Sequence, residues 1–413
     1  MIVLSGADLV LPDRMLSPGT LVIDGDRIAD VRPGTTPGGA PGPPFAFHGH
    51  YIVPGFIDVH VHGVEGTDTL DGGSAVAAIA GRLPRYGVTA FCPTTVACAP
   101  GALRTLLAGV RAARETPPDR AARVLPAHLE SNFVSPEYRG AQPARCLRLP
   151  RQALDRGRPG TVGPGAAAPG DDFNASEILD EIERAAPDVG IVTIAPELDG
   201  ALDLIGWLLA RGHRVSLGHS AATFEEGLAA IAAGASQATH LFNRMPPLGH
   251  RAPGLAGAVL QSEEIAAEVI CDGFHVHPAL VRATVAAKRP SRVMAITDGT
   301  AASGMPVGRR TVLGGQPITV GPSSALLDDG TIAGSVLTMD RAFQMLVGRV
   351  GLSLPDAAAL CATTPARELG LVGHGLLVPQ APADLVVLDA QLAVVQTYVA
   401  GQLVYSRDRS PLG

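Results

Sequence analysis

The stretch FIDVHVHG, residues 56–63, sets two of the chain's 12 histidines, His60 and His62, two positions apart at the end of an apolar run. In an extended strand residues i and i+2 point to one side, so both imidazoles face one point. Neutral imidazole is the commonest protein ligand for a divalent metal. The plain alternative is a pair of part-buried histidines bonded to backbone, and His-x-His by itself does not decide between the two. More groups of the same kind follow similar apolar runs. HLE carries His128 and Glu130, GHS carries His219, and THLFN carries His240 and Asn243. CDGFHVH adds His275 and His277, and TDG adds Asp298. Each alone reads as an ordinary surface or core residue. Several imidazoles and carboxylates on the tips of apolar strands fit a metal site with open positions, as zinc-type hydrolytic centres require.

Those tips need a scaffold that brings them together. Apolar, β-branched runs recur at 56–62, 88–95, 123–129, 190–196, 213–219, 235–241, 266–272 and 292–298. Most are separated by Ala/Leu-rich stretches of helical spacing such as SAVAAIAGRLPRYG and TFEEGLAAIAAGA. Eight strands alternating with helices predict an α/β fold, a (β/α)8 TIM-like barrel with its site at the C-terminal ends of the strands. A doubly wound sheet fits less well, because no Gly-rich phosphate loop follows the first strand. The ends differ in texture. Residues 1–53 and 370–413 alternate apolar and polar positions between turn residues, which predicts a small β-sandwich domain built from both termini around a barrel of 54–369. Residues 155–171, DRGRPGTVGPGAAAPGD, lack periodicity and read as a flexible surface insertion.

With 413 residues, 46% hydrophobic and 17% charged, the chain reads as globular rather than disordered. A net charge of −7 gives no support to nucleic-acid binding. No apolar run is long enough for a membrane span, and MIVLSGADLVLPDRM has neither the basic start nor the cleavage site of a signal peptide. Five scattered cysteines without Cys-x-x-Cys argue against disulfides and thiolate zinc and for a reducing, cytoplasmic setting. Cys92 and Cys271 read as core fillers. In NRMPPLGHRAPG, Arg244, His250 and Arg251 stand beside Asn243. Guanidinium groups there suit an anionic, phosphate-bearing substrate, although a solvated basic loop has the same composition.

The chain resembles the amidohydrolase superfamily, and within it the N-acetylglucosamine-6-phosphate deacetylase family. The motifs are VPGFIDVHVHG, HLE with SPEYRGAQP, TIAPE, GHSAAT, THLFNRMPPLGHRAPGLAGA, DGFHVHP, ITDGTAASG, AGSVLTMDRA and ADLVVLD, spread over nearly the whole length. The resemblance implies that Glu130, His219 and His240 hold the catalytic metal and that His60 and His62 hold a second ion. It implies Asp298 as acid/base, and Asn243, Arg251 and His275 as substrate contacts, with Arg251 reaching towards a neighbouring subunit's site. The loop AGSVLTM would lie near the acyl group. The implied reaction removes acetate from an N-acetyl amino-sugar 6-phosphate, in a homodimer carrying one or two divalent ions per subunit. Zinc comes first among these, with Fe2+, Mn2+ or Co2+ also compatible with such ligands.

Some relatives bridge two metals with a carboxylated strand lysine. The chain's single lysine, Lys288, sits in ATVAAKRPS before the eighth strand, where no such bridge is expected, and Glu130 takes the anionic role. The family's glutamate is usually followed by Gly-Pro. Here Ser131-Asn132 follows it, which is expected to adjust a contact to Glu130 or reshape the sugar pocket. Gln142 stands where other members place a sugar-contacting histidine and is taken as a substrate contact. These departures leave room for a galactosamine epimer of the substrate, or for a deaminase or N-acyl amino acid hydrolase. A non-catalytic sugar sensor is the weakest alternative, since the set Glu130, His219, His240 and Asp298 is intact.

Overall fold

A computed structural model describes residues 1–35, 45–155 and 172–408. Its centre is a ring of parallel strands: β1 (Phe56–Val61), β2 (Val88–Thr95), β3 (Ala127–Leu129), β4 (Val189–Ile194), β5 (Arg214–Leu217), β6 (Gln237–Ala238), β7 (Ala266–Ile270) and β8 (Val293–Ile296). A two-residue segment, Arg123–Val124, extends β3 towards its start before Pro126 interrupts the ladder. Neighbours pair in chain order from β1 to β8. The ring closes just past the ends of β8 and β1, where Asp298 N–H donates to His60 O (3.1 Å) and His62 N–H to Gly299 O (2.8 Å). Inside that seam the Asp58 carboxylate accepts from Thr297 Oγ1 at 2.6 Å and from His60 N–H at 3.2 Å. Burial pushes this carboxyl up to about 7, and the bonds from Thr297 and His60 work against that rise.

Each strand is followed by a helix that lays an apolar face on the ring, among them Pro100–Glu115 after β2, Phe224–Ala232 after β5 and Pro278–Lys288 after β7. β1, β2 and β7 are buried at every position, as strands covered on both faces must be, so they read as continuous apolar runs. Lys288 caps a helix instead of entering the ring: its Nζ donates to Val259 O (2.9 Å) and to Ser262 O at the end of Gly254–Gln261. All five cysteines are buried and free.

The two termini meet in one eight-stranded sheet, in which Ile2–Val10 lies between Met15–Asp24 and Tyr51–Pro54, and Leu385–Leu388 pairs with Tyr51–Pro54. One face of that sheet encloses its own apolar cluster, including Leu4, Leu9, Ile28, Leu385 and Tyr398. The stretch 155–171 lies, apart from Asp155, outside the described residues. A second sheet was not anticipated: Arg310–Leu313, Gln316–Val320, Ser324–Leu327 and Ile332–Ser335 form an antiparallel meander after β8. Its apolar side packs on Val96 and Ala302 beside the barrel mouth.

Candidate active site

At the C-terminal mouth of the barrel lies a cavity of about 350 Å³, within the range of small-molecule sites. His62, Glu130, Gln142, His219, His240, Asn243, Arg244, His275 and Asp298 all line it. The meander contributes Leu313, Ile332 and Gly334 to one wall, and the AGSVLTM segment begins at the cavity.

Three of the polar residues sit where the backbone turns sharply off a strand. His219, His240 and Asp298 have φ of 47°, 30° and 50°, in the left-handed region that L-residues seldom adopt. Surrounding bonds hold these turns. The Glu197 carboxylate accepts from Ser220 Oγ (2.8 Å) and Ala221 N–H (2.6 Å), fixing the chain after His219. Asp298 O accepts from Ser335 N–H at 2.9 Å, which ties the turn after β8 to the meander. Strain concentrated at residues that face a cavity is typical of functional positions.

The buried carboxylate of Glu130 is the focus. Its Oε1 lies 2.9 Å from His219 Nε2, 2.9 Å from His240 Nε2 and 3.6 Å from His60 Nε2. Burial would raise its pKa, yet the His219, His240 and His60 imidazoles hold it well below the carboxylate range. Beside it, His60 Nε2 and His62 Nε2 are 3.2 Å apart, and Asp298 Oδ1 lies 3.3 and 3.2 Å from them. Burial, with His128 adding to it, drives His60 well below its usual value. Burial acts the same way on His62, but the Asp298 and Glu130 carboxylates outweigh it and push His62 up to about 9.

This donor set fits a divalent cation. Two ligand atoms each about 2.1 Å from a tetrahedral ion stand about 3.4 Å apart. The observed separations are shorter by a few tenths of an ångström but of that order: His219 Nε2 and His240 Nε2 are 3.1 Å apart, and each is 2.9 Å from Glu130 Oε1. Two ring nitrogens and a carboxylate oxygen that close repel unless a proton or a cation stands between them. His60, His62 and Asp298 make a second buried group of the same compactness. His219 is oriented by a bond of its Nδ1 to Tyr138 O at 2.8 Å, which leaves Nε2 with a free lone pair towards Glu130 when Nδ1 carries the proton.

Not every residue expected at the site faces it. His128 is enclosed: its Nδ1 bonds Val59 O (3.0 Å), its Nε2 bonds Thr193 Oγ1 (2.8 Å), and burial lowers its pKa to about 4. His277 is exposed and caps the helix that follows, accepting from Ala279 N–H. His275, by contrast, bonds Asp272 Oδ2 through Nδ1 (2.6 Å) and turns a buried Nε2 without a described partner to the cavity. Arg244 lies at the wall, its guanidinium 3.4 Å from Ile332 O, whereas His250 and Arg251 are exposed and outside the cavity lining.

Ser131 and Asn132 correct the expectation that they bear on Glu130 or the sugar pocket. Ser131 Oγ donates to Thr193 O and accepts from Phe133 N–H, while Asn132 Nδ2 donates to Cys98 O and Cys146 O, both at 2.8 Å. They staple neighbouring loops. Gln142 lines the cavity, but both ends of its amide are engaged: Oε1 accepts from Ala97 N–H (2.6 Å) and Nε2 donates to Glu130 Oε2. Glu268 was overlooked. It lies in mid-β7, wholly buried, with Oε2 3.0 Å from His60 Nδ1. A single acidic residue within the apolar run AAEVI was its signal.

Fold and site define a barrel hydrolase of the metal-dependent kind. A family model described as "Amidohydrolase family" matches residues 51–404. An N-acetylglucosamine-6-phosphate deacetylase of Rattus norvegicus is 35% identical, over 97% of this chain and 91% of its own length. An N-acetylgalactosamine-6-phosphate deacetylase of Escherichia coli O157:H7 is 34% identical, over 85% and 87%. Among solved structures, an N-acetyl-D-glucosamine-6-phosphate deacetylase variant from Mycobacterium smegmatis, in complex with N-acetyl-D-glucosamine-6-phosphate, superposes with a TM-score of 0.85 at 33% identity. That similarity covers 98% of this chain and 99% of the other. The chain belongs to the amidohydrolase family.

Proposed function

We propose that the protein is a metal-dependent deacetylase that hydrolyses N-acetylglucosamine-6-phosphate to glucosamine-6-phosphate and acetate. The observation that carries this reading is the buried carboxylate of Glu130 among four imidazoles, at the base of a cavity whose wall bears Asn243, Arg244 and His275. Such a cavity offers a cation site for the amide and donors for a phosphorylated sugar.

Glu130, His219 and His240 would hold the catalytic ion, with His60 and His62 at an adjoining position. A divalent ion held there supplies Lewis acidity, polarising the amide carbonyl and lowering the pKa of water. Asp298, with Oδ1 directed at the His60 and His62 nitrogens, takes the proton of the attacking water and passes it to the leaving amine. His275 donates from Nε2 to the substrate, its ring held by Asp272. Asn243 and Arg244 contact the sugar phosphate, and Gln142 holds Glu130 in place rather than touching the sugar. Zinc is the metal we infer, the terminal sheet is a unit distinct from the barrel, and the setting is cytoplasmic. The exposed Arg251 serves the phosphate of a partner subunit in a homodimer.

The test is acetate release by the metal-replete protein offered N-acetylglucosamine-6-phosphate, its galactosamine epimer and both unphosphorylated sugars. Turnover confined to the glucosamine 6-phosphate supports the reading; silence on all four with metal bound refutes it. The Escherichia coli relative favours the galactosamine epimer as a second reading, and that arm of the assay decides it. Chelation should abolish turnover and lower the melting temperature, with recovery on adding a divalent ion.

A further inference from the structure

Behind His60 lie His128 and Glu268, which complete a buried cluster and belong to no step described above. The cluster has the compactness of a metal site but not the free valences of one. Both ring nitrogens of His128 are engaged, by Val59 O and Thr193 Oγ1. One oxygen of Glu268 bonds His60 Nδ1, the carboxyl also meets the backbone of His240, and Oε1 lies 3.9 Å from His128 Nδ1, whose bond goes to Val59 O.

We propose that Glu268 is a positioning residue that sets His60 as a ligand. By accepting from Nδ1–H it keeps the Nε2 lone pair of His60 directed at Glu130, His62 and Asp298, the only direction in which that ring can bind a cation. Three facts support the assignment. Glu268 is wholly buried in a strand of the ring, so its side chain is held in place behind His60. His60 is equally buried, and its two nitrogens face opposite partners, Glu268 on one side and the cavity group on the other. β7 is separated from β1 around the ring only by β8, so the carboxylate reaches His60 across the barrel interior from a strand that contributes no ligand of its own. A carboxylate behind a metal-binding imidazole fixes its tautomer and raises its basicity, and removing such a partner typically costs about 10–100-fold in metal affinity.

This inference rests on reading His60 as a ligand, and its test reads metal affinity, so it stands or falls apart from the choice of substrate. Zinc affinity and stoichiometry are measured on metal-free full-length protein for wild type, Glu268→Ala, His60→Asn and the double variant. Glu268→Ala should weaken zinc binding about 10–100-fold in the wild-type background and cause no further loss once His60 is replaced. Glu268→Gln keeps the shape and an acceptor oxygen and should lose severalfold, less than the alanine variant. It carries the same cycle if the alanine variant does not fold. Unchanged zinc affinity in both single Glu268 variants overturns the proposal. A loss of the same size in the presence and absence of His60 also overturns it, since that marks a general effect on the fold.

Discussion

The two ends of the barrel bury carboxylates in opposite ways. At the floor, where the strands begin, each is matched by guanidinium. Asp188 takes Arg111 Nε at 2.6 Å and Arg114, Asp384 takes Arg123 Nε at 3.1 Å, and Glu368 takes Arg292 Nη1 at 3.2 Å. At the mouth, Glu130 and Asp298 face imidazoles. Arginine keeps its charge and fills the place a cation would take, so the floor is electrostatically complete. Imidazole can give up its proton and offer a lone pair, so the mouth is a place where positive charge can be exchanged. Similar acidic side chains thus brace the fold at one end and leave it open to chemistry at the other.

That contrast can be broken from either end. Glu130→Ala should remove the largest share of function, taking both metal and acetate release below detection; metal retained at full stoichiometry would show that the imidazoles suffice without it. Asp298→Asn comes next, with a fall in kcat of about 10²–10⁴-fold at nearly unchanged metal content. Survival of full activity would dismiss Asp298 as acid/base. Arg244→Ala should raise KM at least about tenfold for phosphorylated sugar, the equivalent of about 1.4 kcal/mol, and leave unphosphorylated sugar unaffected. Equal effects on both substrates would deny it the phosphate. The floor is expected to affect stability alone: Asp188→Asn should cost about 1–3 kcal/mol in denaturant melts with kcat unchanged, since it sets a neutral amide against Arg111 and Arg114. A loss of activity there would mean that the floor communicates with the mouth.

The barrel was legible because its strands are buried on both faces. FIDVHV and VTAFCPTT can stay apolar only under such cover, and polar groups then stand out at their tips. The same habit of reading tips hid Glu268, which breaks an apolar run in its middle. The meander of 310–335 carries its own signals, an alternation of apolar and polar positions between GG and DDG turns, but these lie inside the span 54–369 that the strand–helix rhythm predicts as barrel. The inward staples of Ser131 and Asn132, and the double engagement of Gln142, depend on carbonyls and a carboxylate brought close only by the tertiary fold. Spacing along the chain carries no trace of them.

The seam between β1 and β8 has a further meaning for how the chain matures. Asp58 and Thr297, which join it, are 239 positions apart, and His60, His62 and Asp298 flank that join. Joining residues so far apart in the chain costs more loop-closure entropy than pairing neighbouring strands. Glu130, His219 and His240 all precede the eighth strand, whereas Asp298 arrives only with its end. Closing the seam is therefore the step that completes the pocket's acid/base chemistry rather than its set of candidate ligands, and a chain stalled short of β8 lacks Asp298 alone among the clustered groups.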